Sequence, residues 1–150
     1  MARSWRDDDV VAAWSGLLRL HAELVPVIDH ELQETAGMPL GWYDVLLELD
    51  AAPQKRLRMS DLGAAAVLSR TRVSRVVDEL VRIGHVERVS NPNDARSAFA
   101  ALTPWGRAAF RRAAPRYLDS VRRHLGARLS RADALELRRI LDVALSDSTL

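Results

Sequence analysis

Residues 69–84 read SRTRVSRVVDELVRIG, and the fold turns on this stretch. Ser69 is a suitable helix N-cap, because its hydroxyl can accept a hydrogen bond from an otherwise unpaired amide of the first turn. Val73, Val76, Val77, Leu80 and Ile83 recur at three- and four-residue steps and define one apolar face. Gly84 supplies a C-terminal stop. The other face of the first two turns carries Arg70, Thr71, Arg72, Ser74 and Arg75. With Ser69, that is three arginines and three hydroxyls in seven residues, with no acid. Asp78 and Glu79 come only later. Polar donors at the N-terminal end and core contacts along one side suit a helix that enters the major groove of DNA. An amphipathic surface helix with solvated arginines has the same pattern, so the flanking sequence has to decide.

Upstream, residues 61–66 are rich in small side chains and predict a third helix, N-capped by Ser60. Val67 and Leu68 form the turn into Ser69. Two helices joined by about three residues are the signature of a helix-turn-helix. Downstream the period changes from helical to alternating. Residues 85–89 predict a strand, Asn91-Pro92-Asn93-Asp94 a turn, and 97–102 a second strand. A hairpin directly after such a helix is a wing, with Arg96 just past its tip, and a narrow minor groove attracts arginine.

The remaining elements flank this unit. Residues 7–34 predict a long first helix, with Asp7, Asp8 and Asp9 at its positive end. Val10, Trp14, Leu17, His21, Leu24 and Ile28 form one stripe, and Val11, Leu18, Val25 and Leu32 a second. That is more apolar surface than a peripheral helix needs, which suits a subunit interface. Pro26 lies within it and predicts a kink. Residues 41–50 predict a short second helix, and residues 56–59 a very short strand. Thr103-Pro104 opens a fifth helix running to about Leu125, with Thr as N-cap and Pro at its first position. Pro115 should bend it, and Arg107, Arg111, Arg112, Arg116, Arg122 and Arg123 make its exposed side basic. Ser130 and Asp133 cap a last helix to about Leu145. The tail from Ser146 is expected to fray.

Composition narrows the function. The net charge of +2 conceals an asymmetry: residues 1–50 hold three arginines and ten acids, whereas residues 51–125 hold fifteen basic residues and six acids. A basic middle segment is the footprint of a polyanion partner. Lys55 is the sole lysine among 22 basic residues. There is no cysteine, so disulfides, thiolate catalysis, thiol redox sensing and cysteine-based zinc sites are excluded. His21, His30, His85 and His124 are scattered and give no metal-ligand spacing. No phosphate-binding glycine loop, nucleophile elbow or paired acid and base is present, so neither an enzyme nor a cofactor is expected. No uninterrupted run of 18 apolar residues predicts a membrane span, and MARSWRDDDV lacks the apolar core of a signal peptide. A cytoplasmic location is expected.

The order of elements, together with LSRTRVSRVVDELVRIGHVER at 68–88 and NPNDARSAFAALTPWGR at 91–107, resembles the MarR family of winged helix-turn-helix transcriptional regulators. The resemblance runs from about residue 8 to 145. It implies a mainly α fold with a small β-hairpin wing and long N- and C-terminal dimerisation helices. The 150 residues would form a single domain, with dimerisation helices at about 7–36 and 104–146 and a DNA-binding winged helix at about 41–103. It implies a homodimer, with two recognition helices in successive major grooves of a pseudo-palindromic operator of double-stranded DNA. Ser69, Arg70, Thr71, Arg72, Ser74 and Arg75 fall on DNA-contacting positions, Arg72 and Arg75 nearest the bases. Arg96 falls on the wing arginine and Asp94 on the residue that orients it by a charge-assisted hydrogen bond. Ala95, Arg70 and Val67 depart from the family pattern, which carries a further basic residue, a proline and a turn glycine there.

The resemblance also implies a repressor released by a small aromatic or phenolic ligand. Trp14, His21, Trp42, Tyr43 and Asp44 are the aromatic and polar groups available for it, although both tryptophans equally suit core or interface packing. The alternative function is a winged-helix protein-interaction module without a ligand. Such a module would expose apolar groups on the recognition face, where this chain carries arginines and hydroxyls.

Overall fold

The computed structural model describes residues 8–146. The elements in order are α1 (Asp9–Ala36), α2 (Leu40–Ala51), β1 (Arg56–Arg58), α3 (Met59–Ala65), α4 (Arg70–Arg82), β2 (Val86–Ser90), β3 (Ala98–Leu102), α5 (Pro104–His124) and α6 (Arg131–Ser146). This is a mainly helical winged-helix fold. The expected charge of Asp7 at the first helix, the expected absence of a signal peptide in residues 1–7 and the expected fraying after Ser146 lie outside the described residues.

The chain divides into two compact units. One is Asp29–Tyr117, which contains the helix-turn-helix and the sheet. The other comprises the described residues up to Ile28 and from Leu118 onward.

In the Asp29–Tyr117 unit the helices close over one apolar core. Leu32, Val45, Leu46, Leu49, Leu62, Val73, Val77, Leu80, Val86 and Ala100 are almost fully buried. Each large aliphatic side chain here contributes roughly 1.5–3 kcal/mol by leaving water. Leu32 is the last of the predicted α1 stripe residues. Tyr43 is buried too, its ring stacked on Tyr117 at 4.4 Å and tilted against Phe110 at 5.2 Å.

The sheet has three antiparallel strands in the order β1-β3-β2, not a hairpin alone. Val86 pairs with Leu102 and Ser90 with Ala98, and β1 adds Arg56 opposite Ala101 and Arg58 opposite Phe99. The Arg56 guanidinium lies 4.9 Å over the Phe99 ring, a cation–π contact across that pairing. The predicted strand at 56–59 therefore finds its partner in β3.

Helix boundaries follow local chemistry. Asp8 caps α1 by accepting from the amides of Val10 and Val11 at 2.9 and 3.3 Å. Gly37 and Gly84 end α1 and α4 with positive φ, +62° and +79°. Ser130 and Asp133 form the expected reciprocal cap of α6: Asp133 N–H donates to Ser130 Oγ at 3.1 Å, and Ser130 N–H to Asp133 Oδ2 at 3.0 Å. The expected cap of α3 is corrected. The helix starts at Met59 with Arg58 in the cap position, so Ser60 lies inside its first turn.

The other unit exposes its apolar side chains. Leu24 and Ile28 are buried, but Val10, Trp14, Leu17 and Leu18 on α1 are exposed, and so are Leu135, Ile140, Val143 and Leu145 on α6. No residue of α6 is buried. By length and composition alone α1 would suffice to cross a membrane. The sequence criterion of an uninterrupted apolar run missed this because Arg19 and Glu23 interrupt it. Those two charges and His21, in mid-helix, weigh against a span.

Candidate nucleic-acid interface

The recognition candidate α4 forms for the reasons its sequence gives. The Ser69 hydroxyl accepts from the Arg72 amide at 3.4 Å, and Val73, Val76, Val77 and Leu80 are buried. The side chains between those valines cannot reach the core. Ser69, Arg70, Thr71, Arg72, Ser74 and Arg75 are all exposed. The amides at the helix start add a partial positive charge to the same end. α4 is held from two sides in its C-terminal half. Trp42 Nε1 of α2 donates to Glu79 Oε2 at 2.8 Å, and Arg88 of β2 pairs with Asp78 at 2.6 Å.

The acids of α4 are thus engaged away from its N-terminal turns. One carboxylate of α2 does interact electrostatically with Arg72. Asp44 on α2 has its pKa raised to about 6 by burial and by Glu48, and Arg72 pulls it back down. Arg72 therefore lies in the field of a half-buried acid of its own chain.

The wing tip is a tight hydrogen-bonded turn. Asn91, 5% exposed, donates through Nδ2 to Ser97 Oγ at 2.8 Å, and its Oδ1 accepts from the Asn93 amide at 3.0 Å. Asp94 Oδ1 accepts from the Arg96 backbone amide at 2.9 Å. The expected charge-assisted bond between Asp94 and Arg96 is thus made to the Arg96 backbone, and Asp94 fixes the turn that carries the arginine. The Arg96 side chain is exposed.

A cavity of ≈ 450 Å³ lies between α2 and the exposed face of α4, lined by Trp42, Thr71, Arg72, Arg75 and Glu79 among others. Of the five residues expected to hold a ligand, Trp42 lines this cavity. Asp44 is half-buried on α2, outside the cavity lining, and feels the charge of Arg72. Tyr43 is sealed in the core, its pKa pushed up to about 12 by burial, with Tyr117 and Asp44 adding to it. Trp14 and His21 are exposed on the α1 segment of the other unit. Sequence reasoning missed Glu79 and Asn91, because the partners that define their roles lie on other elements or hide inside a turn. Among the described residues no group of three histidines, aspartates or glutamates could hold a metal ion.

The DNA-bound crystal structure of Sco3205, a MarR family transcriptional regulator from Streptomyces coelicolor, superposes with a TM-score of 0.84. It is 31% identical, and the match covers 100% of this chain and 94% of that one. The chain belongs to the MarR family. The MarR family profile matches residues 36–97, from the end of α1 to the wing turn. AbsC, a second MarR family regulator from Streptomyces coelicolor, is 30% identical with a TM-score of 0.81, over 97% of each chain. BpsR of Bordetella bronchiseptica, whose DNA binding is regulated by 6-hydroxynicotinic acid, shares the fold at 19% identity, with a TM-score of 0.80 over 99% of each chain. No curated protein matches the sequence. MarR-family proteins are transcriptional regulators, and the basic face of α4 and the wing stand on the MarR-type scaffold of this chain.

Proposed function

We propose that this chain is a sequence-specific DNA-binding transcriptional regulator, a homodimeric repressor released by a small aromatic or phenolic ligand. The observation that carries this reading is the division of α4. Its valines and leucine are buried, and its first two turns present three arginines and three hydroxyls to solvent. Arg72 and Arg75 read base edges in the major groove, where a bidentate arginine suits guanine. Ser69, Arg70, Thr71 and Ser74 hold the flanking phosphates. Arg96, carried on the turn that Asp94 fixes, reaches the minor groove or its backbone. The DNA-bound state of Sco3205 supports this reading.

The exposed apolar side chains of α1 and α6 support a homodimer, in which a second copy covers them and two α4 helices meet a pseudo-palindromic operator. The cavity beside Trp42 supports ligand control. An aromatic acid stacked on Trp42, with its anion on Arg72 and Arg75, would withdraw both arginines from DNA. That is differential affinity for the bound and free states, which is all that release requires. The regulation of BpsR by 6-hydroxynicotinic acid supports the ligand class. Asp44, Trp14 and His21 remain candidates to anchor or flank it, and the site of action is the cytoplasm.

The test is fluorescence anisotropy on the duplex upstream of the chain's own gene and on a scrambled duplex, at two salt concentrations. Tight, salt-sensitive binding of the native duplex, lost in Arg72→Ala and absent on the scrambled one, is the expected result. Equal, weak binding of both duplexes, indifferent to Arg72, would reduce the basic face to a nonspecific patch.

A further inference from the structure

The sheet has two ends, and the DNA reading uses one of them. β3 runs from the wing turn to Leu102, a length of about 17 Å for five residues. At its far end, a cavity of ≈ 390 Å³ opens between the turn after α2 and the first two turns of α5. Lys55, Leu102, Thr103, Pro104, Arg107 and Arg111 line it.

Two of the three cations there share a single carboxylate. Lys55 Nζ lies 3.5 Å from Asp50 Oδ1 and donates to the Asp50 carbonyl oxygen. Arg107 Nε lies 3.2 Å from the same Oδ1. Binding through Nε leaves both terminal nitrogens of the Arg107 guanidinium available. Arg111 is one turn further along α5, exposed, and without a carboxylate partner among the described residues. Asp50 aligns two cations and leaves the cluster with an excess of positive charge.

The backbone that delivers Lys55 is itself unusual. Gln54 and Lys55 both have φ of +56°, two successive non-glycine residues in the left-handed region. Such conformations cluster where a side chain must be aimed. The turn brings the chain's one lysine onto a carboxylate and the rim of a cavity.

We propose that this cavity binds a small oxyanion carrying two negative charges, a phosphate group or a compact dicarboxylate. Lys55, Arg107 and Arg111 hold the charge, and Leu102 and Pro104 form an aliphatic wall. No aromatic ring lines the cavity, so the ligand differs in kind from a ring stacked on Trp42. The site lies at the opposite end of β3 from Arg96, so it can fill while DNA is bound. β1, beside Lys55, pairs with β3, so the site shares its strand with the wing.

Isothermal titration calorimetry on the full chain tests this, with inorganic phosphate and, separately, succinate as probes at ionic strength matched with sodium chloride. Saturable binding of at least one probe at one site is expected, and the stronger one names the source of the charge. Arg111→Gln and Lys55→Gln each weaken it roughly tenfold, the cost of one charge-assisted bond. Arg116→Gln, an exposed arginine of the same helix outside the cavity, leaves it unchanged. Arg111→Gln keeps the wild-type melting temperature and decides the matter if Lys55→Gln does not fold. A short DNA duplex added at low salt leaves probe binding in place. No saturable binding of either probe, an equal loss in Arg116→Gln, or displacement of the probe by the duplex would overturn the proposal; the last result would assign the patch to the phosphodiester backbone.

Discussion

Gly106, in the first turn of α5, lies against the backbone of His85. A Cβ at this position would stand 2.0 Å from the His85 carbonyl oxygen and 2.7 Å from its carbonyl carbon. Thr103 closes the same joint: its amide donates to His85 O at 3.1 Å and its hydroxyl to Gly84 O at 2.7 Å. The hydroxyl also accepts from the Gly106 amide at 3.0 Å, capping the helix. The end of α4 and the start of α5 are thus joined backbone to backbone. Gly106→Ala must push them apart and should destabilise the fold by about 2 kcal/mol or more, as overpacking does. Chemical denaturation measures it, and a cost under about 0.5 kcal/mol would contradict the geometry.

The half-buried acid that feels the charge of Arg72 has a pH signature. Burial, with help from Glu48 and against Arg72, raises the folded-state pKa of Asp44 from 3.8 to about 6. The folded chain therefore binds this proton more tightly than the unfolded chain. The Asp44 contribution to stability falls as pH rises from about 4 to about 6 and is level above. His85, whose pKa is lowered by burial and by Arg112, slopes the other way, so the comparison must be with a variant. Asp44→Asn should melt higher than wild type at pH 7.5, with the gap closing toward pH 4. Losing a carboxylate whose charge offsets that of Arg72 should also tighten DNA binding a few-fold. A gap that does not change with pH would show that Asp44 is not the group responsible.

The wing distinguishes a backbone role from a charge role. Asp94→Asn keeps an oxygen for the Arg96 amide and should bind DNA at least as well as wild type. Asp94→Ala removes it and should weaken binding severalfold. Arg96→Ala should lose about tenfold and reduce the slope of log affinity against log salt by about 1. Loss in Asp94→Asn equal to that in Asp94→Ala would point instead to an ion pair between Asp94 and the Arg96 side chain.

The cavity beside α4 can be separated from the DNA face through Trp42. Trp42→Phe removes the indole N–H that meets Glu79 and shrinks the stacking surface, but leaves Arg72 and Arg75 in place. DNA affinity should stay within about threefold, while release by 6-hydroxynicotinic acid or salicylate, measured by anisotropy, should weaken about tenfold. If neither acid releases the wild-type protein from DNA, the aromatic-ligand reading falls.

Much of this was legible in the chain because it is local. Ser69, the spacing of Val73 to Leu80 and Gly84 bound α4 to within two residues, and Asn91 to Asp94 mark the wing turn. These signals need only a few neighbouring residues. What the sequence left open depends on distant partners. The Trp42–Glu79 bond spans 37 positions and the Arg107–Asp50 pair 57. Nothing near Gly106 announces that another backbone fills the space its side chain would take. Ser60 looked like a cap because it is a serine before a helical run. The cap position went instead to Arg58, the last residue of β1, since the strand sets where the chain can turn.

A helix with no fully buried side chain in its own chain has a consequence beyond shape. Leu137 and Leu141 are partly covered by the chain, but Leu135, Ile140, Val143 and Leu145 stay exposed, so their burial would come from another molecule. In a homodimer the competent species then rises with the square of the amount of chain present, until pairing saturates. Dilution would then separate the subunits and re-expose those side chains. The cell's production rate for this chain would set the point at which it acts, making abundance itself an input alongside any small molecule.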